Sequence, residues 1–246
     1  MSVKPSLRRR RSPPRRRGRA RAGGASRSLV LASAGLDSAV LIALEARARV
    51  VQPFYVRTGL AWEAEEQRML ARLAAALASN GRVLPPVHAA CDMRDVYRDD
   101  HWAVRGTPPG YHTPDEDVYL DGRNIVLLAK AAVYAAREGI ERLALGPLAG
   151  NPFPDATPAF FSAMRRALSL GLDARFEIAT PLAGMHKADV VALGRRLGVP
   201  FELTLSCMNP RGGRHCGRCS KCRERIEAFR EAGLADPAIY LRRPGR

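Results

Sequence analysis

The stretch Ser28-Leu29-Val30-Leu31-Ala32-Ser33-Ala34-Gly35-Leu36-Asp37-Ser38 decides the fold, and the apolar run of residues 39–44 follows it directly. A short apolar run that breaks into small residues and then resumes predicts a buried strand, a tight loop and the first turn of a helix. Unpaired N–H groups and the helix dipole both attract negative charge at such a junction. The stretch therefore predicts a phosphate-binding loop.

The spacing of this loop differs from the best-known nucleotide-binding fingerprints. The sequence has neither a Gly-Lys-Ser/Thr after the loop nor a G-x-G-x-x-G pattern. A glycine-containing turn in an ordinary α/β protein is the alternative interpretation of these residues.

Charge is distributed unevenly along the 246 residues, whose net charge is +16. Residues 1–27 contain Lys4 and ten arginines without an acid and account for +11, so that +5 remains for the rest. Such a segment cannot bury apolar surface, and we predict a disordered basic tail over 1–27. The tail is either a nucleic-acid-binding arm or an extension without a function. No other part of the chain is expected to bind nucleic acid.

The order of apolar runs predicts an α/β fold, a doubly wound, mostly parallel five-stranded sheet. Five strands are predicted, at 28–31, 50–56, 83–89, 142–146 and 175–179. Besides the helix that follows the loop, five helices are predicted, at 61–78, 125–139, 158–170, 187–198 and 222–232. Two prolines interrupt the third strand, which favours an edge position. The connection over residues 91–119 has no clear period. Ligands of such sheets bind at the carboxyl ends of the strands.

Three further segments carry polar groups to that end of the sheet. Arg123 and Asn124 stand at the start of a predicted helix, where an anion can bind, and Lys187 stands at the start of a later one. Asn151 and Asp155 lie in a rigid polar segment after the fourth strand. The alternatives are an ordinary helix cap for Asn124 and a solvated first-turn residue for Lys187.

Four of the five cysteines lie within sixteen residues, at Cys207, Cys216, Cys219 and Cys222. Four thiolates at this spacing can close a tetrahedral site, which predicts structural Zn²⁺ ahead of an iron–sulfur cluster; redox chemistry by a Cys-x-x-Cys pair is the alternative. The pattern predicts a zinc-binding segment over 205–246 after an α/β domain over 28–204. Free thiols, no apolar run long enough for a bilayer and no secretory signal predict a cytoplasmic protein without a membrane partner.

The order of these motifs, over residues 28–232, resembles that of the 7-cyano-7-deazaguanine synthase family. The shared features are the Ser-x-Gly-x-Asp-Ser loop, Gly122-Arg123-Asn124, Phe153-Pro154-Asp155, Lys187 and the cysteine pattern. The family lies within the N-type ATP pyrophosphatases (PP-loop proteins), whose fold is adenine nucleotide alpha-hydrolase-like. The resemblance implies an ATP-dependent ligase of queuosine precursor biosynthesis that converts 7-carboxy-7-deazaguanine and ammonia to 7-cyano-7-deazaguanine, acting as a homodimer.

The resemblance also implies roles for individual residues. The triphosphate of ATP would be held by the loop residues Ala32, Ser33, Ala34, Gly35, Leu36, Asp37, Ser38 and Ala39, with Asp37 near Mg²⁺. Arg123, Asn124 and Lys187 would neutralise the charge of the phosphates that leave. Asp155, with its neighbour Asn151, would face the deazaguanine.

Four positions depart from the family pattern. Ala34 stands in place of a glycine, and we expect its side chain to restrict positive φ and to shift the loop. Asp121 replaces a proline, Asn151 an acid and Ala156 a cysteine. Because Asn151 and Ala156 lie at the predicted substrate mouth, they bear on the substrate more than on the ATP chemistry.

Other functions compete with this one. A related ATPase could act on another carboxylate; a tRNA thiolase would need a sulfur-carrying cysteine, and only Cys91 lies outside the cluster. An amidotransferase would need an amino-terminal cysteine, where Met1-Ser2 stands. A zinc-containing nucleic-acid-binding regulator would leave the phosphate loop without a purpose. The sequence therefore favours a zinc-containing, ATP-consuming ligase.

Overall fold

The computed structural model describes residues 25–242. The prediction of a disordered tail falls almost wholly on residues 1–24, outside the described residues. The first strand begins at Arg27, one residue before the predicted start.

Five strands form a parallel sheet in the order β3-β2-β1-β4-β5. Their bounds are β1 Arg27–Leu31, β2 Val50–Arg57, β3 Val87–Ala90, β4 Arg142–Ala144 and β5 Glu177–Ala179. The five-stranded parallel sheet and the edge position of β3 are confirmed. The third strand is shorter than predicted, because Val83 contributes only an isolated bridge to Val51 before the two prolines.

Eight helices connect and cover the strands in the described residues. Their bounds are α1 Leu36–Glu45, α2 Glu63–Leu77, α3 Arg94–Tyr97, α4 Trp102–Arg105, α5 Arg123–Glu138, α6 Pro158–Gly171, α7 Lys187–Arg196 and α8 Ser220–Glu231. Helix α6 begins as predicted, since the Thr157 side chain accepts a hydrogen bond from Phe160 N at 3.2 Å. Lys187 is the first residue of α7, also as predicted.

Alternating side chains on the strands divide the core into two layers. Val30 and Tyr55 pack in the layer that contains α1, α2, α7 and α8. Leu29 and Phe54 pack in the opposite layer with α5 and α6. Because both faces of the parallel sheet are covered by helices, the doubly wound architecture is confirmed.

The connection over residues 91–119 is more regular than its sequence indicates. It contains the one-turn helices α3 and α4 and a 3₁₀ turn over Asp115–Val118. His101 Nδ1 accepts a hydrogen bond from Ala103 N at 3.2 Å, and Gly106 ends α4 with φ of 76°. Single-turn helices do not complete a hydrophobic period, which is why the pattern did not reveal them.

The C-terminal segment packs onto the sheet domain through α7 and α8. Arg225, on α8, is fully buried and forms an ion pair with Asp236 at 2.8 Å. It also donates to Thr204 Oγ1 at 2.6 Å and to Phe201 O at 3.1 Å. No helix within residues 25–242 has the length and apolarity needed to cross a membrane.

Candidate active site

A cavity of about 370 Å³ opens at the carboxyl ends of β1 and β4, where the strand order reverses. It brings together predicted site residues from four separate segments of the chain. They are Ala32, Ser33, Gly35, Leu36, Asp37, Arg123, Asn124, Asn151, Asp155 and Lys187. Ala34, Ser38 and Ala39, also predicted, do not line this cavity.

The loop after β1 is held by contacts within itself and with the C-terminal segment. Ser38 Oγ donates to Gly35 O at 3.1 Å and accepts from Ser33 N at 3.3 Å. Leu205 N donates to Ala34 O at 2.8 Å. Ala34 and Ala39 are fully buried, so their side chains shape the loop from the core side.

Ala34 adopts a φ of 62°, in the left-handed region. The expectation that this alanine would restrict positive φ is therefore wrong. This conformation costs an L-residue with a Cβ about 1–2 kcal/mol. Its buried methyl group and the hydrogen bond to Leu205 offset part of that cost.

The start of α1 presents backbone donors to the cavity. Gly35 is the N-cap, and no side chain caps the helix there. The N–H groups of the first turn are consequently available to an anion, and the helix dipole adds a partial positive charge. This is the arrangement that a triphosphate needs.

Lys187 joins two carboxylates at one edge of the cavity. Its Nζ lies 2.7 Å from Asp37 Oδ2 and 2.9 Å from Glu224 Oε1. Burial alone would lower the pKa of Lys187, but the two carboxylates outweigh it and raise the pKa. Burial likewise opposes ionisation of Glu224, yet Lys187 and Lys221 lower its pKa to about 2. The lysine is therefore held as a fixed positive charge.

Two buried oxygen atoms at the cavity have no hydrogen-bond partner among the described residues, Asp37 Oδ1 and Ser206 Oγ. Burial raises the pKa of Asp37 more than the neighbouring Lys187 lowers it. An unpaired buried oxygen costs about 1–3 kcal/mol unless a ligand satisfies it. A hard cation at Oδ1 would do so, because Mg²⁺ prefers carboxylate oxygens, and the site thus fits the ion that the family resemblance implies.

Asn124 and Asp155 are bonded to each other. Asp155 Oδ2 accepts from Asn124 N at 2.9 Å, and Asn124 Nδ2 donates to Asp155 O at 2.9 Å. Asp155 is only 5% exposed and thus supplies a carboxylate to the start of α5. The side chain of Asn151, which is exposed, accepts from Phe153 N at 2.9 Å and stabilises the turn before it.

Arg123 is oriented differently from Asn124. Its side chain lines the cavity and makes no hydrogen bond or ion pair with any residue in the described range 25–242. Its charge nevertheless acts on the buried groups Glu66 and Tyr55, lowering the pKa of both relative to burial alone. An arginine in this state can bind a carboxylate or phosphate oxygen without first breaking an ion pair.

Sequence reasoning missed one polar group of the same cavity. Glu66, on α2, is 7% exposed and accepts a hydrogen bond from Tyr55 Oη at 2.6 Å. Burial raises its pKa to about 7, although Arg123 and the bond from Tyr55 act in the opposite direction. Its position within an amphipathic helix, among other acids, gave no signal that its side chain points inward.

The four cysteines converge near the start of α8. The sulfur atoms of Cys207, Cys216, Cys219 and Cys222 all lie within 4.8 Å of one another. Three backbone N–H groups donate to these sulfurs, from Asn209, Cys216 and Arg218, at 3.2–3.3 Å. Zn–S bonds of about 2.3 Å in a tetrahedron place sulfurs about 3.8 Å apart, and three of the six sulfur pairs in the cluster lie 3.5–4.0 Å apart.

His215 does not take part in this cluster. Its Nε2 accepts a hydrogen bond from Ser206 N at 3.1 Å, and the residue is buried. The cluster is therefore a set of four sulfurs that could hold a metal ion, as predicted.

Comparison with known proteins places this architecture in a family. The family model described as queuosine biosynthesis protein QueC matches residues 27–233 of this chain. The chain belongs to the QueC family. A 7-cyano-7-deazaguanine synthase of Anaeromyxobacter dehalogenans is 34% identical over 228 residues, which cover 89% of this chain and 97% of that protein. QueC proteins are ligases, and the chain is accordingly an enzyme of that class.

Two further comparisons cover less of the chain. A 7-cyano-7-deazaguanine synthase of Thermoplasma volcanium is 42% identical over 132 residues, or 51% of this chain and 54% of its own. Among solved structures, a complex of a 4-thiouridine synthetase with RNA and bound ATP aligns over 85% of this chain and 51% of its own, with 14% identity and a TM-score of 0.45. This last similarity supports no statement about the site.

Proposed function

We propose that the enzyme converts 7-carboxy-7-deazaguanine and ammonia to 7-cyano-7-deazaguanine at the expense of ATP. Membership of the QueC family supports this reaction. The single structural observation that carries it is the cavity in which the start of α1, Arg123 and Lys187 face the same space. These groups are suited to a triphosphate and a carboxylate held side by side.

The reaction consists of two activations at the α-phosphate of ATP. In the first, a carboxylate oxygen of the substrate attacks the α-phosphorus and pyrophosphate leaves; ammonia then displaces AMP from the acyl carbon, which gives the amide. In the second, the amide oxygen attacks another ATP, pyrophosphate again leaves, and loss of AMP and a proton yields the nitrile. Both activations need positive charge on the leaving pyrophosphate.

The residues of this chain supply that charge and the necessary orientation. The N–H groups at the start of α1 bind the β- and γ-phosphates. Lys187, held by Asp37 and Glu224, faces the departing pyrophosphate as a point charge. Arg123 binds a carboxylate or phosphate oxygen, while Asn124 and Asp155 fix the start of the helix that carries it.

Two metal ions complete the proposal. Mg²⁺, when bound, would contact Asp37 and neutralise phosphate charge. Zn²⁺ would be held by the four cysteines, and a closed sulfur site has no open position for catalysis, so its role is structural. The homodimer and the cytoplasmic location stay predictions of the sequence.

The test is to incubate the purified protein with ATP, Mg²⁺, ammonium and 7-carboxy-7-deazaguanine, and to follow the base by mass spectrometry. We expect the nitrile, with two AMP released per nitrile formed, and no product from the Asp37→Asn variant, which keeps the metal of the four-cysteine cluster. Consumption of ATP only with a different carboxylic acid would contradict the substrate. The absence of AMP release with any acid would contradict the enzyme activity itself.

A further inference from the structure

Two stacked pairs of aromatic side chains line the cavity. Trp62 and Trp102 form the first pair, with ring centroids 5.8 Å apart and an interplanar angle of 14°. Tyr119 and Phe153 form a second stacked pair at 5.0 Å and 26°. All four side chains line the cavity. Flat aromatic surfaces of this kind bind planar heterocyclic bases by stacking.

Glu66 is the carboxylate beside the two tryptophans. It lines the cavity; Tyr55 Oη donates to its Oε2 at 2.6 Å, and the Trp62 side chain also hydrogen-bonds to it. A carboxylate can accept about four hydrogen bonds, so that acceptor positions are left over. Burying such a group is costly unless its acceptor positions are filled. A ligand that donates to the positions left over would offset part of that cost.

The neighbouring Glu63 shows what a structural carboxylate on the same helix looks like. It is also 7% exposed, but both of its oxygens accept from backbone N–H groups, Thr58 N at 2.5 Å and Gly59 N at 3.1 Å. It does not line the cavity. Of these two equally buried acids three positions apart, Glu66 faces the cavity and Glu63 does not.

We propose that Glu66 recognises the guanine-type edge of the base by accepting hydrogen bonds from its ring N1–H and its exocyclic 2-amino group. This inference rests on the proposed function, because it assigns a specificity residue to the same site. The two parallel N–H donors of that edge match the two oxygens of a carboxylate. Adenine presents an amino donor beside a ring-nitrogen acceptor, and a carboxylate repels that acceptor. The base of ATP is thereby excluded from the position beside Glu66.

The test uses probes that bind without reacting. The chain has two tryptophans, Trp62 and Trp102, and both line the cavity, so that quenching of their fluorescence reports binding. We titrate the full-length protein with 7-deazaguanine and with 7-deazahypoxanthine, which lacks only the 2-amino group. The wild type is expected to bind 7-deazaguanine about 10- to 100-fold more tightly than 7-deazahypoxanthine. A site that accepts a hydrogen bond from the 2-amino group rejects the analogue that lacks this group.

In Glu66→Gln this preference is expected to fall to within about threefold, because the amide offers one acceptor and opposes the second donor. Its affinity for ATP, measured by the same titration, is expected to be unchanged. Glu63→Gln is the matched control and keeps the preference. A Glu66→Gln protein that retains the preference, or that loses affinity for ATP instead, would overturn the assignment.

A measurement on the wild type alone guards against misfolding of the variant. Burial raises the pKa of Glu66 to about 7, and the groups that face it are Tyr55 from β2, Trp62, Glu63 from its own helix and Arg123 from α5. Protonation leaves the carboxyl with a single good acceptor. The preference for 7-deazaguanine must therefore be larger at pH 8 than at pH 6, and an equal preference at both would count against Glu66.

The outcomes separate this inference from the proposed reaction. A wild type that forms the nitrile but does not distinguish the two probes refutes the role of Glu66 and leaves the reaction intact. A wild type that distinguishes the probes through Glu66 yet forms no nitrile supports the recognition of the base and refutes the reaction.

Discussion

Lys187 Nζ lies 2.7 Å from Asp37 Oδ2, although 150 positions separate the two residues in the chain. The same nitrogen reaches Glu224 on α8, two residues after the last cysteine of the cluster. The start of α1 is thus connected through one lysine to the four-cysteine segment. The position of the lysine depends on both parts of the fold.

Substitution of Lys187 by methionine removes the fixed charge while keeping the length of the side chain. We expect kcat/KM to fall by about 10²- to 10³-fold, the usual cost of removing one preorganised group that stabilises transition-state charge. Pyrophosphate release under steady-state conditions measures this. Lys130→Met, an exposed lysine on α5, is the control and should leave the rate unchanged. A Lys187→Met enzyme with full activity would refute the role of this residue.

Removal of the metal should act on catalysis through Glu224. Cys216→Ser is expected to lose the bound metal, to unfold at a lower denaturant concentration and to lower kcat, because α8 begins at the cluster and carries the carboxylate that holds Lys187. Metal content and urea unfolding are measured together with the rate. Cys91→Ser, outside the cluster, should change stability by less than about 1 kcal/mol. A metal-free protein with normal kcat would show that the cluster and the cavity are independent.

Local patterns and long-range contacts differ in how far the sequence predicts them. The loop after β1, the start of α5 at Arg123 and the four cysteines are predictable, because each depends on neighbouring residues or on a fixed spacing. The pairing of Lys187 with Asp37 depends on how α7 packs against α1, which a single sequence does not specify. Arg225 illustrates the same limit: it lies in a polar helix, yet it is fully buried with Asp236 as its partner.

Ala34 offers a direct measure of backbone strain in the phosphate loop. Replacement by glycine relieves about 1–2 kcal/mol of left-handed strain, but loses about 0.8 kcal/mol of methyl burial and about 0.4–1 kcal/mol through the more flexible unfolded chain. These contributions nearly cancel, so we expect the free energy of unfolding of Ala34→Gly to stay within about 1 kcal/mol of the wild type.

Ala34→Val has no such compensation. A β-branched residue at a φ of 62° in a fully buried position combines backbone strain with overpacking, and we expect a loss of about 3 kcal/mol or more together with loss of ATP binding. Urea unfolding of the two variants side by side measures both effects. Tolerance of valine would mean that the loop does not require the left-handed conformation.

The raised pKa of Glu66 predicts how stability varies with pH. In the folded protein its pKa is about 7, against 4.5 for an unperturbed glutamate. Between these values the folded state holds a proton that the unfolded state has lost, so the contribution of Glu66 is fully present below pH 4.5 and is lost as the pH rises to about 7. The total loss is about 3 kcal/mol.

Glu66→Gln removes this dependence, and the variant should gain stability relative to the wild type between pH 5 and pH 8. Urea unfolding at pH 5 and at pH 8 measures the gain. The difference in free energy of unfolding between variant and wild type at pH 5 is the reference for the difference at pH 8. A difference that does not change with pH would contradict the burial of an ionisable carboxyl in the cavity.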